Sequence, residues 1–373
     1  TGKPIHWTQL VGSALLGFIV GYKLIGMFLQ WEIASPDPLQ FLFSLQGNLL
    51  VGLIAAGISF GLKYWENKKE VANGIQVKKV KTFPHIKVGD ICIVAALGGF
   101  AGAKIFNALE TWDSFIQDPL DSLFSSSGLT FYGGLIVATF LLWRYSKKIN
   151  LDFRHLCDAA APALILAYGI GRIGCQVSGD GDWGIYNSAY ITDAQGKLAM
   201  AVSTNFEENK KPYLEYFERH KEEQIPHKPI QGVAFLPMWL FAYNYPNNVN
   251  NVGVPLPGCS GEYCSVLPQP VFPTPVYETI LCLFIFLFLW RIRKKLDAPL
   301  AIFSVYLMCN GLERFFIEKI RVNYKYDWGF MQPTQAEIIS VFLFLAGLVL
   351  LVWSIKNHAD KSSLRQELNT TLP

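Results

Sequence analysis

The sequence predicts an all-α polytopic membrane protein with about eight transmembrane helices and a polar head inserted between the fifth and the sixth. Of its 373 residues, 51% are hydrophobic and only 16% are charged, which is too apolar for an ordinary soluble domain. Its apolar runs reach the roughly 20 residues that cross a bilayer. The net charge of +3 does not indicate nucleic-acid binding.

Apolar runs and basic segments alternate along the chain. The predicted spans are 9–29, 41–64, 87–107, 128–146, 157–175, 274–291, 299–316 and 335–355. Lys and Arg are concentrated in the segments 66–81, 146–155, 291–297 and 356–366. Basic segments stay in the cytoplasm. If every predicted span crosses the membrane, all four basic segments fall on the same side of it. Both ends of this chain are then inside, and the segments 30–40, 108–127, 176–273 and 317–334 are outside.

This pattern divides the chain into five regions. They are an N-terminal helical hairpin with a cytoplasmic linker (1–84), core helices (85–175), a periplasmic head (176–273), C-terminal core helices (274–355) and a cytoplasmic tail (356–373). Within the head, the charged segment 193–230 predicts a solvated surface loop, with a partner-binding arm as the alternative.

Six of the seven cysteines fall into two groups. Cys259 and Cys264 lie in a polar loop of the head, where an oxidising compartment would favour a disulfide. A metal site is less favoured there, because no pair of histidines accompanies them. Four others lie in or beside apolar segments and are predicted to pack as small hydrophobes: Cys92, Cys157, Cys282 and Cys309.

The stretch AYGIGRIGCQVSGDGDWG, residues 167–184, joins the fifth span to the head. It places Arg172 and Asp180 among glycines that include Gly171, Gly174 and Gly184. Glycine lets backbone approach backbone or a ligand closely, and the planar fork of arginine suits a phosphate. A phosphate site is one interpretation of this turn. The other is an internal Arg–Asp pair that only stabilises the turn.

The segment GLERFFIEKIRVN, residues 311–323, carries a second charged pattern. Arg314, Glu318 and Arg321 are spaced by four and three residues, so on a helix they share one face. Two cations and a carboxylate on one face at a membrane boundary suit an anionic head group. The alternative is an ordinary ladder of intrahelical salt bridges. Glu313 points off this face and is predicted to be a packing residue.

Further polar groups lie near the outer ends of other spans. An ionisable side chain in a span is costly and is therefore a functional candidate. Belt tyrosines, an exposed glutamate and a snorkelling lysine are the alternatives. The residues are Tyr277 and Glu278 at the start of the sixth span, Tyr132, Gly133 and Gly134 at the start of the fourth, and Lys104 in the third.

All these groups fall in the outer half of the predicted membrane region. Their convergence indicates a pocket in which an anionic lipid head group meets the outer aqueous phase. The sequence contains no His-rich ligand set, phosphate-binding P-loop or GxSxG elbow. A metal mechanism and a serine hydrolase are therefore unsupported.

Four motifs in this order resemble those of the prolipoprotein diacylglyceryl transferase family, over roughly residues 85–355. GRIGCQVSGDGDWG (171–184) is similar to the family signature GRIGNFINGELWG, with one residue more, and YGGLIV (132–137) is similar to HGGLIG. TPVYE (274–278) resembles QLYE, and ERFFIEKIR (313–321) resembles FR-x-x-VEFFR. Each motif alone is weak evidence, but the set is specific.

The resemblance implies an enzyme of the bacterial inner membrane whose site faces the periplasm. Such an enzyme moves a diacylglyceryl group from phosphatidylglycerol to the lipobox cysteine of a prolipoprotein. Glycerol phosphate leaves, and no metal or diffusible cofactor is needed. The implied partners are phosphatidylglycerol, the prolipoprotein signal peptide with its lipobox, and the lipid bilayer. The family core has seven helices, so the first two spans are expected to be an added hairpin, with one more span upstream of Thr1.

Two positions depart from the family pattern. Cys175 replaces an asparagine of the signature, and Tyr132 replaces the histidine of the HGG motif. Asp180 best matches the glutamate of the signature, and Asp182 is the alternative because of the extra residue. A covalent intermediate on Cys175 is disfavoured, since the family works through direct transfer.

The implied chemistry is attack of a thiolate on a glycerol carbon, with a phosphate oxyanion departing. Arginines would stabilise the phosphate. Tyr132 would orient the thiol or relay its proton. The acceptor of that proton would be Glu278, Glu318 or Asp180. The predicted catalytic residues are Tyr132, Arg172, Arg314, Glu318 and Asp180. The predicted substrate-binding residues are Arg321, Tyr277, Glu278, Gly133, Gly134, Gly171, Gly174, Cys175, Gly184 and Lys104.

Two other functions are compatible with a lipid-binding membrane protein. A family relative that lost its chemistry with the asparagine and the histidine would act as a lipid-binding scaffold. A lipid or small-anion transporter would need polar residues through the full depth of the membrane. Because the polar residues here are mostly in the outer half, the transporter is disfavoured.

Overall fold

The computed structural model describes residues 7–34, 41, 46–72, 84–119, 122, 128–203, 205–219, 226–323, 325–329 and 331–371. The chain divides into two compact units, Thr1–Phe153 and Arg154–Pro373.

The first unit is built from helices that pack in pairs. They are α1 (Trp7–Ile19), α2 (Gly26–Leu29), α3 (Trp31–Ala34), α4 (Leu49–Ala72), α5 (Val88–Glu110), α6 (Trp112–Gln117) and α7 (Phe131–Lys148). A π-helical segment, Val20–Ile25, joins α1 to α2, and a 3₁₀ turn, Pro84–Lys87, precedes α5. Helix α1 packs against α4, and α5 packs against α7.

The second predicted span begins later than the hydropathy indicates. It was predicted at 41–64, and α4 occupies Leu49–Ala72, while residues 42–45 lie outside the described part of the chain. The side chain of Asn48 accepts a hydrogen bond from the Val51 N–H at 3.2 Å. Asparagine in this position satisfies a free N–H of the first turn and starts a helix. This local cap, rather than the apolar run alone, sets the start of α4.

The second unit contains the remaining long helices and the head. Its helices are α8 (Phe153–Ser178, whose first residue belongs to the first unit), α9 (Phe206–Lys210), α10 (Leu214–Arg219), α11 (Thr274–Ile292), α12 (Ala301–Glu318) and α13 (Gln335–Thr371). Ala161 and Ile165 of α8 pack with Cys282 and Leu289 of α11 and Ile302 of α12. Cys282 is therefore a core residue, as predicted.

Within the described ranges, six helical segments are long and apolar enough to cross a membrane, by length and composition. They are Leu10–Leu29, Leu49–Lys69, Pro84–Glu110, Phe153–Ser178, Thr274–Ile292 and Gln335–Ala359. Helices α7 and α12 coincide with the other two predicted spans, but each carries three residues of Asp, Glu, Lys or Arg. The chain is a multi-pass membrane protein, and these two helices do not meet the same apolar criterion.

The head is not helical throughout, so the all-α prediction applies to the spans and fails there. Its described strands are β1 (Tyr186–Asn187), β2 (Tyr190–Thr192), β3 (Leu198–Met200), β4 (His227–Lys228), β5 (Val254–Pro255) and β6 (Ser265–Val266). They form three two-stranded sheets: β1 pairs with β4 in parallel, and β2 with β3 and β5 with β6 are antiparallel. The residues of the head are too polar to form a span, and their backbone N–H and C=O groups pair in these short strands instead.

The described part of the head contains a disulfide and a small aromatic core. Cys259 and Cys264 form a disulfide, which confirms the predicted pair. Residues 193–230 were predicted to be a solvated loop; most of the described ones are at least partly exposed, but they form β3, α9, α10 and β4 rather than a loop throughout. Phe206 and Phe217 of this segment are buried and their rings contact each other and the ring of Tyr186. Apolar side chains between the charged residues supply this small core. Residues 204 and 220–225 lie outside the described part.

Candidate active site

A sharp turn after α8 brings Asp182 back towards Arg172. Gly179 and Gly181 have positive φ angles of 64° and 96°, which glycine adopts without a steric penalty. Arg172 forms an ion pair with the carboxylate of Asp182. The hydroxyl of Thr274 donates to the Asp182 carbonyl at 2.8 Å, which ties the turn to the start of α11. The glycines thus allow the turn, and Thr274 fixes its position.

Glu278 is the centre of the charged cluster. It lies in the first two turns of α11, after prolines that start the helix as predicted, and its side chain is 0% exposed. Its carboxylate oxygens lie 2.5 Å from Arg172 Nε, 3.0 Å from Arg314 Nη1 and 3.6 Å from Arg321 Nη1. One buried carboxylate therefore contacts all three guanidinium groups that the sequence analysis selected.

Helix α12 supplies Arg314, and the segment just after it supplies Arg321. Arg314 lies 3.6 Å from Glu318, which also accepts a hydrogen bond from Asn323 Nδ2 at 2.6 Å. Arg321 also pairs with Asp182. The predicted contact between Arg314 and Glu318 on one helix face is confirmed, whereas Arg321 lies three residues beyond the end of α12, so the predicted helical face does not extend to it.

Three guanidiniums and the three carboxylates of Asp182, Glu278 and Glu318 give a cluster with balanced formal charge. A guanidinium has five N–H donors, and the contacts with these carboxylates occupy only some of the donors of each arginine. The side chain of Arg314 is 25% exposed, the largest fraction among the three arginines. The carboxylates orient the guanidiniums, and the exposed part of Arg314 can meet a further anion.

Gly184 places Arg321 in the cluster. A Cβ at Gly184 would lie 2.7 Å from the Ile320 carbonyl oxygen, so only glycine fits this close approach. Gly184 and Arg321 form an isolated antiparallel β-bridge. Beside it, the Ile185 N–H donates to the Ile320 carbonyl at 2.8 Å. The last glycine of the signature motif is therefore a packing requirement for a guanidinium of the site.

Cys175, Gly171 and Gly174 lie on α8 with Arg172. The Cys175 sulfur is 3.6 Å from Arg172 Nη1 and 3.9 Å from Asp182 Oδ2, so it belongs to the same cluster. A Cβ added at Gly171 or Gly174 would meet no atom of the described residues within 4 Å. Packing within the second unit therefore does not require glycine at these two positions.

The structure favours Asp182 over Asp180 as the carboxylate that pairs with arginine. Asp180 is exposed, and its Oδ1 accepts a hydrogen bond from the Asp182 N–H at 3.3 Å. Potential ligand atoms of Cys175, Asp180 and Asp182 lie within 4.8 Å of one another. A cation there would compete with the two guanidiniums that already pair with Asp182.

Two tyrosines of the second unit contact the cluster or its neighbours. The Tyr168 hydroxyl accepts a hydrogen bond from Arg172 Nη2 at 3.3 Å, and its ring lies 5.1 Å from that guanidinium. Tyr168 was not predicted as a site residue, although its place four residues before Arg172 puts both side chains on one helix face. Tyr277 donates its hydroxyl hydrogen to the Leu240 carbonyl at 2.6 Å and thereby fixes a loop of the head.

Glu313 lies off the charged face of α12, as predicted. It is buried, and neither of its carboxylate oxygens has a hydrogen-bond partner among the described residues. A buried ionised carboxylate without a partner is strongly disfavoured, so such a group takes up a proton instead. Glu313 is therefore expected to be neutral and to add no charge to the balanced cluster.

The other predicted site residues belong to the first unit. Tyr132 is exposed at the start of α7. A Cβ at Gly133 would lie 2.3 Å from Phe106 Cβ, and one at Gly134 would lie 2.8 Å from the Gly99 carbonyl, so both glycines allow α5 and α7 to pack closely. Lys104 is buried and donates to the Ser122 carbonyl at 3.2 Å, so it is not a snorkelling cation.

The charge state of Asp182 follows from its neighbours. Burial acts to raise the pKa of this carboxyl, but the guanidiniums of Arg321 and Arg172 outweigh burial and lower the pKa below its usual range. Asp182 is therefore ionised at neutral pH and remains paired with both arginines.

Replacing Asp182 by asparagine is expected to remove a pH-dependent part of the stability. The folded-state pKa is lowered, so the ionised carboxylate stabilises the fold above the unfolded pKa of about 3.9. This contribution is lost as the pH falls through the folded-state pKa. The difference in unfolding temperature between wild type and Asp182→Asn, measured in detergent, should be constant from about pH 7 to pH 5 and shrink below about pH 4. A constant difference down to the lowest pH would contradict this assignment.

Comparisons with known proteins agree with the motif resemblance. A family profile described as prolipoprotein diacylglyceryl transferase matches residues 39–353. The chain is 25% identical to a phosphatidylglycerol–prolipoprotein diacylglyceryl transferase of Leptospira interrogans, over 74% of this chain and 81% of that protein. Proteins of the same name from Dehalococcoides mccartyi and Clostridium novyi are 23% and 26% identical, over 78% and 79% of this chain and 85% and 90% of theirs. This chain belongs to the prolipoprotein diacylglyceryl transferase family.

Proposed function

We propose that this protein transfers a diacylglyceryl group from phosphatidylglycerol to the lipobox cysteine of bacterial prolipoproteins. The observation that carries the proposal is the set of three guanidiniums around the buried carboxylate of Glu278. Family membership supports the reaction, and the curated relatives carry its name.

The reaction requires stabilisation of a departing phosphate. The lipobox thiolate attacks an sp³ carbon of the glycerol that carries the acyl chains; a C–S bond forms, the C–O bond to phosphate breaks, and glycerol phosphate leaves with the electron pair. Preorganised donors that face the developing charge lower the barrier. Arg172 and Arg314 bind this phosphate, and Arg321 supports them from its place beside Asp182 and Glu278.

The thiol must also lose a proton, because a free cysteine has a pKa near 8.5 and the thiolate is the nucleophile. Asp180 accepts this proton in our proposal. It is exposed beside the cluster, so the proton can pass on to water. Glu278 and Glu318 are already engaged with guanidiniums. Tyr132 stands at the position of the family histidine in the motif YGGLIV.

The site faces the periplasm and the protein resides in the bacterial inner membrane. This part of the proposal rests on the distribution of Lys and Arg, because basic segments stay in the cytoplasm. The cluster lies at the opposite ends of α8, α11 and α12 from the basic segments 146–155 and 291–297.

Purified protein, phosphatidylglycerol and a lipobox peptide are sufficient to test the reaction. Mass analysis should show the peptide with one diacylglyceryl group on its cysteine and release of glycerol phosphate. A peptide that stays unmodified, in protein that is folded, would favour the second candidate, a lipid-binding scaffold. Cys175 and Tyr132 are the departures that favour this alternative. If expression of this gene restored growth to a transferase-depleted strain, the scaffold alternative would be excluded.

Replacing Cys175 by alanine is expected to leave transfer within about tenfold of the wild-type rate, because direct transfer needs no nucleophile from the enzyme. The sulfur contacts Arg172 and Asp182, so only a modest change in their orientation should follow. The lipobox-peptide assay measures the rate. Complete loss of transfer, together with a diacylglyceryl adduct trapped on the wild-type enzyme at Cys175, would establish a covalent route instead.

A further inference from the structure

The 230–240 loop of the head presents an uncharged, apolar surface. Its sequence, IQGVAFLPMWL, contains no Asp, Glu, Lys or Arg. The side chain of Phe235 at its tip is 83% exposed. Other apolar residues of the loop are 40% to 47% exposed: Ile230, Val233, Leu236, Met238 and Trp239. Water-exposed aromatic and aliphatic groups in this number mark a contact surface.

The loop has a defined shape because one buried side chain joins its two ends. Asn187 is 0% exposed, and its Nδ2 donates to the carbonyls of Ile230 at 2.8 Å and Phe241 at 2.9 Å. Its Oδ1 accepts from the Ile230 N–H at 3.1 Å. The Gly232 N–H donates to the Tyr190 hydroxyl at 2.8 Å. The apolar tip is therefore held away from the core of the head.

The base of the loop lies at the end of a candidate membrane span. Tyr277, in the first turn of α11, donates to the Leu240 carbonyl at 2.6 Å. Helix α11 is the candidate span Thr274–Ile292, with exposed apolar side chains further along it such as Phe284. The loop is thus attached where a span enters the interfacial layer, and Trp and Phe are favoured at that depth.

We propose that the 230–240 loop inserts its apolar tip into the interfacial layer of the bilayer, and so anchors the head at the membrane beside the charged cluster. A protruding Phe235 suits insertion between lipids, since a docked peptide would require a concave surface that surrounds it. Because the loop carries no charged side chain, its insertion does not require any charge to leave water. This inference requires only a membrane-embedded protein and does not depend on the proposed transfer.

Site-specific photo-crosslinking tests the anchor in the full-length protein. The variant Phe235→benzoylphenylalanine is reconstituted in phosphatidylglycerol-containing nanodiscs and irradiated, and lipid adducts are counted by mass analysis. The same photoreactive residue at Gln195, an exposed polar position in the turn between β2 and β3, is the matched control. We expect about tenfold more lipid adduct at 235 than at 195, as for a side chain in the interface against one in water.

Two outcomes would overturn the proposal. One is a yield of lipid adduct at 235 no higher than at 195. The other is an adduct with an added lipobox peptide, formed in preference to lipid, which would assign the loop to the prolipoprotein. Neither readout requires turnover, so a failure of the anchor and a failure of the transfer reaction are distinguishable.

A second measurement uses a conservative variant, in case the crosslinking protein does not fold. The difference in fluorescence between wild type and Trp239→Phe isolates Trp239 from the other tryptophans. Lipids brominated near the head group should quench this difference signal more than lipids brominated near the chain end. No quenching by either lipid would place Trp239 in water and overturn the anchor.

Discussion

Arg314→Ala is expected to lower the rate of diacylglyceryl transfer by about 10²–10³-fold, the usual cost of removing one preorganised donor from a developing oxyanion. Arg314 contacts Glu278 and Glu318 and is the most exposed guanidinium of the cluster. The variant should remain in the membrane, because Arg172 and Arg321 still pair with Glu278. The rate is measured with the lipobox peptide and phosphatidylglycerol.

Two control variants separate the role of Arg314 from general damage. Arg314→Lys keeps the charge and loses the planar fork, so its rate should lie between wild type and alanine. Lys319→Ala removes a cation from the neighbouring surface, where Lys319 pairs with Glu337 outside the cluster, and should leave the rate unchanged. A wild-type rate for Arg314→Ala would refute the phosphate-binding role.

Glu278→Ala is expected to cost roughly 3–5 kcal/mol of stability, the range observed when one partner of a buried ion pair is removed. Glu278 is fully buried and contacts three guanidiniums, so the variant leaves three cations facing two carboxylates. Thermal unfolding in detergent and the yield of folded protein measure the effect. Transfer should be lost as well, because the guanidiniums would separate.

The matched control for this prediction is an exposed carboxylate. Glu66→Gln breaks the surface pair between Glu66 and Lys63, and surface substitutions of this kind change stability by less than about 0.5 kcal/mol. Glu278→Gln keeps the shape of the side chain and some hydrogen bonding, so it should be less destabilising than alanine. If Glu278→Ala unfolded at the same temperature as the surface control, the central role of Glu278 would be wrong.

Local patterns in the sequence were sufficient for several of these features. Apolar runs predicted the helices, since a segment in lipid must satisfy its backbone groups internally. Spacing by four placed Arg314 and Glu318 on one face, because helical geometry is the same in every environment, whereas Arg321 lies beyond the end of α12 and its place depends on the bridge to Gly184. The start of α4 at Leu49 was missed, since it depends on a single cap by Asn48.

The sequence by itself determined that this is a membrane protein of one family, and it selected the three arginines. Only the tertiary structure decided that Glu278 joins them, that Asp182 rather than Asp180 faces them, and that Glu313 has no partner among the described residues. Arg314 and Glu278 are 36 residues apart, and Arg321 and Asp182 are 139 apart. Helical periodicity relates side chains within one element, whereas contacts over such distances depend on how the helices and the glycine turn pack against one another.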